Sequence, residues 1–138
     1  MSTPDRDELR AAATFRSELR RFLRRSERQA AKVGLTPQRY DLLLQLKAAP
    51  GGQSTVTELA GLLQLRQTAV TELVKRAQEA GLVQRRRSDS DGRVYLLGLT
   101  EEGDRRVMQV FHALRAERVA FARAFEELSA RFRATSVD

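Results

Sequence analysis

Apolar residues recur along most of this chain at steps of three and four, the period of an α-helix buried on one side. In "RAAATFRSELRRFLRRSERQAAKVG", Phe15, Leu19, Phe22, Leu23 and Ala30 share one side and arginines hold the rest. That pattern predicts a long amphipathic helix ending near Gly34, a residue suited to a left-handed C-cap. "LTPQRYDLLLQLKAAPGG" supplies Thr36 as N-cap and Pro37 at the first helical position. Its Tyr40, Leu43, Leu44 and neighbouring leucines predict a second, deeply buried helix closed by Pro50, Gly51 and Gly52. Thr55 and Glu58 stand at capping-box spacing, so a short helix is expected from about Val56 to Leu63. After the turn "QLR", Val70, Leu73, Val74 and Ala77 follow the i, i+3, i+4, i+7 rule, with Thr68, Thr71, Glu72 and Lys75 on the opposite face and Gly81 at the end.

The period then changes. "LVQRRR" and "RVYLLGL" read as two short strands around a turn containing Asp91 and Gly92. Thr100 caps a last helical region, where Val107, Phe111, Leu114, Phe121, Phe125, Leu128 and Phe132 alternate steps of three and four, with Arg118 in the one polar slot. This is a heptad seam, and no proline or glycine follows Gly103. All six phenylalanines lie in the first and last helical regions. A seam this long needs a surface to cover it, so dimerisation through the termini is expected, with Phe15, Phe22, Phe111, Leu114, Phe121, Phe125, Leu128 and Phe132 at the interface. The expected fold is mainly α with a small β-hairpin wing: a winged helix-turn-helix over residues 35–100, with dimerisation helices over 1–34 and 101–138, in a single structural unit.

Charge sharpens this picture. The chain of 138 residues is the size of one domain and carries 25 Lys and Arg against 18 Asp and Glu, a net charge of +7. Such a surplus favours a polyanionic partner, nucleic acid or an anionic membrane, without choosing between them. The pairing of two short helices with a hairpin does choose. The polar side of the second helix suits the DNA major groove. A hairpin bearing Arg85, Arg86 and Arg87 on its first strand and Arg93 at its tip suits the minor groove, where the potential is most negative. Asp89 and Asp91 admit two accounts: Asp91 pairs with the Arg93 guanidinium and presets it, or both aspartates only form the turn. The arginines of the first helix, Arg20, Arg21, Arg24, Arg25 and Arg28, read as a solvated surface rather than a second nucleic-acid contact. They read still less as a membrane face, because the same helix supplies phenylalanines to the dimer.

Several classes drop out. The absence of cysteine removes disulfides, thiolate nucleophiles, thiol switches and thiolate metal sites. His112, the single histidine, has no partner set of ligands, and there is no Gly-rich phosphate loop or nucleophile-and-base pair. No metal, cofactor or enzymatic activity is expected. With no apolar span of about 20 residues and no signal-like start, a cytoplasmic address is expected.

The stretch "STVTELAGLLQLRQTAVTELVKRAQEAGLVQRRRSDSDGRVYLLGLTEEG" resembles the DNA-binding core of MarR-type (multiple antibiotic resistance regulator) transcription factors. The matching features are "ELA", "TAVTELV", the "GLV.R" leading into the wing, the D-x-R of Asp91 to Arg93, and "LTEEG"; "ATFRSELRRFLRR" and "GLTPQRYDLLLQL" resemble the family's first two helices. The resemblance implies an obligate homodimer that reads a palindromic operator, represses by occluding a promoter, and in many relatives is released by a small aromatic or phenolic anion. By position, Gln67, Thr68, Thr71 and Lys75 would approach bases and phosphates, Arg76 the backbone, and Arg93 the minor groove. The chain also departs from the family. Arg66 stands where relatives carry a capping serine, losing a cap worth about 1 kcal/mol but adding a cation near the phosphates. Glu72 replaces a commonly basic residue and would read a cytosine amino group or lower affinity. The region beyond Gly103 is short and unbroken, so one long helix or a very short last one is expected where relatives have two.

An effector site is expected along Phe15, Arg16, Leu19, Tyr40 and Leu44, an arginine among aromatic walls that would suit an aromatic acid, although Tyr40 by itself reads more readily as core than as lining. The leading expectation is a homodimeric, sequence-specific regulator of double-stranded DNA. The rivals are a winged-helix protein-interaction module and a non-specific architectural DNA binder without a ligand.

Overall fold

Helix caps and turns set the order of elements in the computed structural model, which describes residues 2–135. The helix α1 (Arg6–Lys32) ends at Gly34, whose φ of 75° is the left-handed conformation glycine adopts without strain. The next helix, α2 (Pro37–Ala48), begins at Thr36, whose extended backbone lets its hydroxyl accept the Arg39 N–H at 3.1 Å. A single 3-10 turn (Pro50–Gly52) and the strand β1 (Gln53–Ser54) lead to α3 (Val56–Leu63). Thr55 caps α3 by accepting the Glu58 N–H at 3.1 Å. The Glu58 carboxylate does not complete a capping box but accepts from the hydroxyl of buried Ser54 at 3.2 Å.

Two further elements make the wing. After Gln64, in the left-handed region at φ 56°, the chain enters α4 (Gln67–Glu79), and Gly81 turns it into β2 (Val83–Arg87). The strand β3 (Tyr95–Leu99) lies between β1 and β2 and runs antiparallel to both. The expected two-stranded hairpin is therefore part of a three-stranded sheet. A two-residue strand is too short to show an alternation in sequence.

Two compact units divide the chain, with boundaries at Gln29/Ala30 and Phe111/His112. The central one, the winged unit, is filled by aliphatic side chains. Leu42, Leu43 and Leu46 of α2, Leu59 of α3, Val70 of α4, Leu82 and Leu97 have essentially no exposure. Each such side chain contributes roughly 1.5–3 kcal/mol by leaving water. The same unit includes most of α5 (Glu101–Ala113), which the sequence grouped with the dimerisation helices. Thr100 explains why α5 starts where it does. Its hydroxyl accepts the Gly103 N–H at 3.0 Å and donates to the Gly81 carbonyl at 2.6 Å, while its N–H donates to the Leu82 carbonyl at 3.1 Å. Gly103 has to be glycine, because a Cβ there would run into the Leu82 carbonyl oxygen. In the same first turn, the Glu102 carboxylate takes hydrogen bonds from Arg105 and Arg106, which hold its pKa down at about 2, and Arg106 also donates to the Val33 carbonyl at 3.3 Å.

The helical unit contains most of α1 and the final helix, α6 (Arg115–Thr135). The expectation of one long C-terminal helix, or of a very short last one, is corrected: α5 stops at Ala113 and a 21-residue helix starts after Leu114. Neither proline nor glycine forces the break. The apolar seam serves two surroundings instead, Val107 and Val110 being buried in the winged unit while the later phenylalanines meet α1. There Phe15 packs on Phe125 and Phe132 with centroids 5.8 and 6.4 Å apart, and Phe22 packs on Phe121 at 5.3 Å. Of the residues expected at a dimer interface, Leu114 and Leu128 are already buried within the chain, and Phe111 falls in the winged unit.

Candidate nucleic-acid interface

The apolar stripe of α4, Val70, Val74 and Ala77, is buried, which turns Gln67, Thr68, Thr71, Glu72, Lys75 and Arg76 outward. All six are exposed, as the sequence pattern requires. Arg66 occupies the N-cap position with an extended backbone and no capping hydrogen bond from its side chain, so the first amides of α4 lack the partner that a serine would give. Thr71 donates its hydroxyl proton to the Gln67 carbonyl at 2.9 Å, leaving the oxygen lone pairs and the methyl group facing out. Glu72 accepts from Arg76 at 3.1 Å in an exposed i, i+4 pair. This pair cancels the Arg76 charge locally, and Lys75 is left as the cation of the outer face.

Strand register sorts the wing arginines. Arg87 stands opposite Tyr95 and Arg85 opposite Leu97, and directly opposed residues share a face. The Arg85 guanidinium accordingly lies over the Tyr95 ring at 4.6 Å, and that of Arg87 at 5.7 Å, within cation–π range. Arg86 points to the other face, donates to the Gln53 side chain at 2.9 Å and sits 3.6 Å from Asp89. The three arginines are thus not one cluster but two plus one.

The tip settles the question left open about the aspartates. Asp91 accepts the backbone N–H of Arg93 at 3.0 Å, and its carbonyl accepts from Val94 at 3.0 Å, which is turn-forming work. Among the described residues no ion pair joins Asp91 to the Arg93 guanidinium, so the preset-pair account is corrected. The physical reason is that an Asx turn uses the carboxylate on the backbone two residues on. Arg93 itself is exposed.

These faces converge. Thr71, Lys75 and Gln78 of α4, Arg85, Arg93 and Tyr95 of the wing, and the first turn of α3 line one open cleft of about 600 Å³. Sequence reasoning missed Tyr95 and Gln78. The signal for Tyr95 was parity: once the hairpin register is known, an aromatic opposite Arg87 falls on the face of Arg85. Arg86 lines a separate, smaller depression with Gln53 and Gly98. The expected effector residues fall in both units: Phe15, Arg16 and Leu19 on α1, Tyr40 and Leu44 on α2. Tyr40 is 5% exposed and Leu44 half-buried, whereas Arg16 and Leu19 face solvent. Among the described residues no group of three or more histidine and acidic side chains could hold a metal ion, and no helix is long and apolar enough to cross a membrane.

A sequence model of the MarR family matches residues 33–94, the span from the end of α1 to the tip of the wing. Over this span the chain is similar to the MarR family. An HTH-type transcriptional repressor of Bacillus subtilis, MdtR, is 33% identical over 85 residues, which are 62% of this chain and 54% of the repressor. The match thus spans about half the length of that curated relative. Among solved structures, a MarR family transcription regulator superposes with a TM-score of 0.74 at 25% identity, covering 95% of this chain and 87% of that one. A mutant E. coli MarR complexed with operator DNA superposes with a TM-score of 0.71 at 17% identity and 99% coverage of both chains, a likeness of fold. The MarR fold accounts for the winged architecture found here, including the helix that follows the wing.

Proposed function

We propose that this chain is a homodimeric, sequence-specific DNA-binding transcriptional regulator of the MarR family that represses by occupying its operator. The observation that carries the reading is the single open cleft shared by the outer face of α4 and the inner face of the wing, cationic at Lys75, Arg85 and Arg93. In this reading Gln67, Thr68 and Thr71 meet base edges. Thr71, its proton committed to Gln67, accepts from an adenine or cytosine amino group or packs its methyl on thymine. Lys75 and Arg66 lie toward phosphates, and Arg76 does so when a phosphate competes with Glu72 for its guanidinium. Arg85, Arg87 and Arg93 serve the minor groove, with Tyr95 orienting the first two.

Selection of bound sequences from a random duplex library tests this directly. A palindrome with half-sites centred about 10 base pairs apart is expected for two winged units on one side of a duplex. Thr71→Ala should then cost about 1–3 kcal/mol on the selected site and far less on random DNA. Equal losses on both would favour an architectural binder, and salt-independent or absent duplex binding would favour a protein-interaction module.

The effector and the dimer are part of the same reading. A small aromatic or phenolic acid is the proposed releasing ligand, with Arg16 of α1 answering its carboxylate. The exposed Leu19, Leu23, Val119 and Phe125 of the helical unit support a second copy as the covering partner. Release of labelled operator by benzoate-type acids, lost in Arg16→Ala, checks the first; sedimentation checks the second.

A further inference from the structure

On α1, the residues Arg16, Arg20, Arg24, Arg28 and Lys32 follow one another at i, i+4, so five cations occupy one ridge of a single helix. All five are exposed. Each step rises about 6 Å. Like charges at this spacing repel and weaken the helix that carries them. Some helix cations are neutralised one turn away, as Arg76 is by Glu72 and Arg105 and Arg106 are by Glu102. On α1 the Glu18 carboxylate is taken by Arg21, beside the ridge, and among the described residues no ion pair reaches Arg16, Arg20, Arg24, Arg28 or Lys32. A self-repelling ridge of this length is stabilised by an extended polyanion.

The chemistry of the ridge narrows the partner. Four of the five cations are arginines, whose planar guanidinium forms two parallel hydrogen bonds to a phosphate. A membrane-surface helix needs its apolar face free to enter the lipid boundary, whereas on α1 the aromatic part of that face, Phe15 and Phe22, is packed on phenylalanines of α6 and only Leu9, Leu19 and Leu23 are left outside. Evenly spaced charge along one line also suits a continuous phosphate array better than separate headgroups. We propose that the ridge Arg16, Arg20, Arg24 and Arg28 is a sequence-independent track for the phosphate backbone of duplex nucleic acid. It shares no residue with the cleft of the winged unit and does not depend on the reading of that cleft.

The test uses the full chain and a random-sequence 30-base-pair DNA duplex, with affinity followed from 50 to 200 mM salt. Arg20→Gln, Arg24→Gln and Arg28→Gln are combined, both in the native background and in one carrying Lys75→Ala with Arg93→Ala. The expected result in both backgrounds is about tenfold weaker binding at low salt and a log–log salt slope shallower by about 2–3, one unit per lost phosphate contact. The triple variant should also melt at a higher temperature, because the repulsion is relieved, which a merely structural role would not produce. The matching triple Arg→Lys variant should keep the native salt slope, since its charge is unchanged, while binding more weakly than the native chain for want of paired guanidinium hydrogen bonds. Unchanged affinity and slope would overturn the proposal, as would binding to phosphatidylserine vesicles that depends on the ridge while duplex binding does not. If the Lys75→Ala and Arg93→Ala background binds as tightly as the native chain but the ridge variant still loses affinity, the cleft reading fails and the ridge stands. Should the triple variant not fold, Arg24→Gln alone is expected to reduce the slope by about one.

Discussion

In the winged unit the fully buried large side chains are mostly leucines, Leu42, Leu43, Leu46, Leu59, Leu82 and Leu97; in the helical unit the contacts run between phenylalanine rings, and Leu9, Leu19, Leu23, Val119 and Phe125 still face outward. The first unit has spent most of its apolar surface, with Leu62 and Tyr95 left outside, and it exposes polar and cationic groups on its cleft. The second retains exposed apolar groups on both of its helices. The contrast teaches that one chain can hold a region complete in itself beside a region whose sequence asks for a partner surface. It also explains why the two respond to different tests.

Leu43→Ala should produce the largest effect, a loss of about 3–5 kcal/mol in the denaturation free energy of the winged unit, since the site is closed on every side. A loss below about 1 kcal/mol would break the comparison, because the aliphatic core would then be loosely packed. Gly103→Ala comes next, at about 1–3 kcal/mol, with the Leu82 carbonyl forced aside. Thermal melting would show it even with DNA absent. Phe125→Ala should cost about 0.5–1.5 kcal/mol within the chain through the ring contact to Phe15. Its sharper signature is expected in concentration: the melting temperature of the native chain should rise with protein concentration, and that of the variant should rise less.

The smallest effect belongs to Glu102→Gln. The native carboxyl is held at about 2 against an ordinary value of 4.5 by hydrogen bonds from Arg105 and Arg106. Its stabilising contribution is present above pH 4.5 and is lost as pH falls toward about 2. The stability difference between native chain and variant should therefore close across that window in an acid titration, and a difference that stays constant would deny the pairing any role. Glu102 and its two arginines remain substantially open to solvent, which keeps the effect small.

Much of the winged unit was legible because its boundaries are written in single residues with a mechanism. Thr36, Thr55 and Thr100 cap, Gly34 and Gly81 turn, and Val70, Val74 and Ala77 mark the inner stripe of α4. What escaped the sequence depends on contacts distant along the chain. The strand β1 exists only as a partner for Gly98 and Leu97, and no two-residue pattern could announce it. The division of Arg85 and Arg87 from Arg86 requires the register set by Tyr95. The break at Leu114 has no breaker residue, because the seam is divided by which neighbours bury each half rather than by local propensity. Gln67, Thr68, Thr71, Glu72, Lys75 and Arg76 were read as outward and are exposed, yet the tether from Glu72 to Arg76 and the back-bond of Thr71 were visible only as geometry.

Where Gly103 meets the Leu82 carbonyl there is no slack between the start of α5 and the root of the wing. The helix is a short, stiff lever clamped at that end. Any tilt imposed near Phe111 must drag the backbone of Leu82 with it, and with it the first residue of β2. The side chain that glycine lacks is thus what converts a helix and a strand into one moving part.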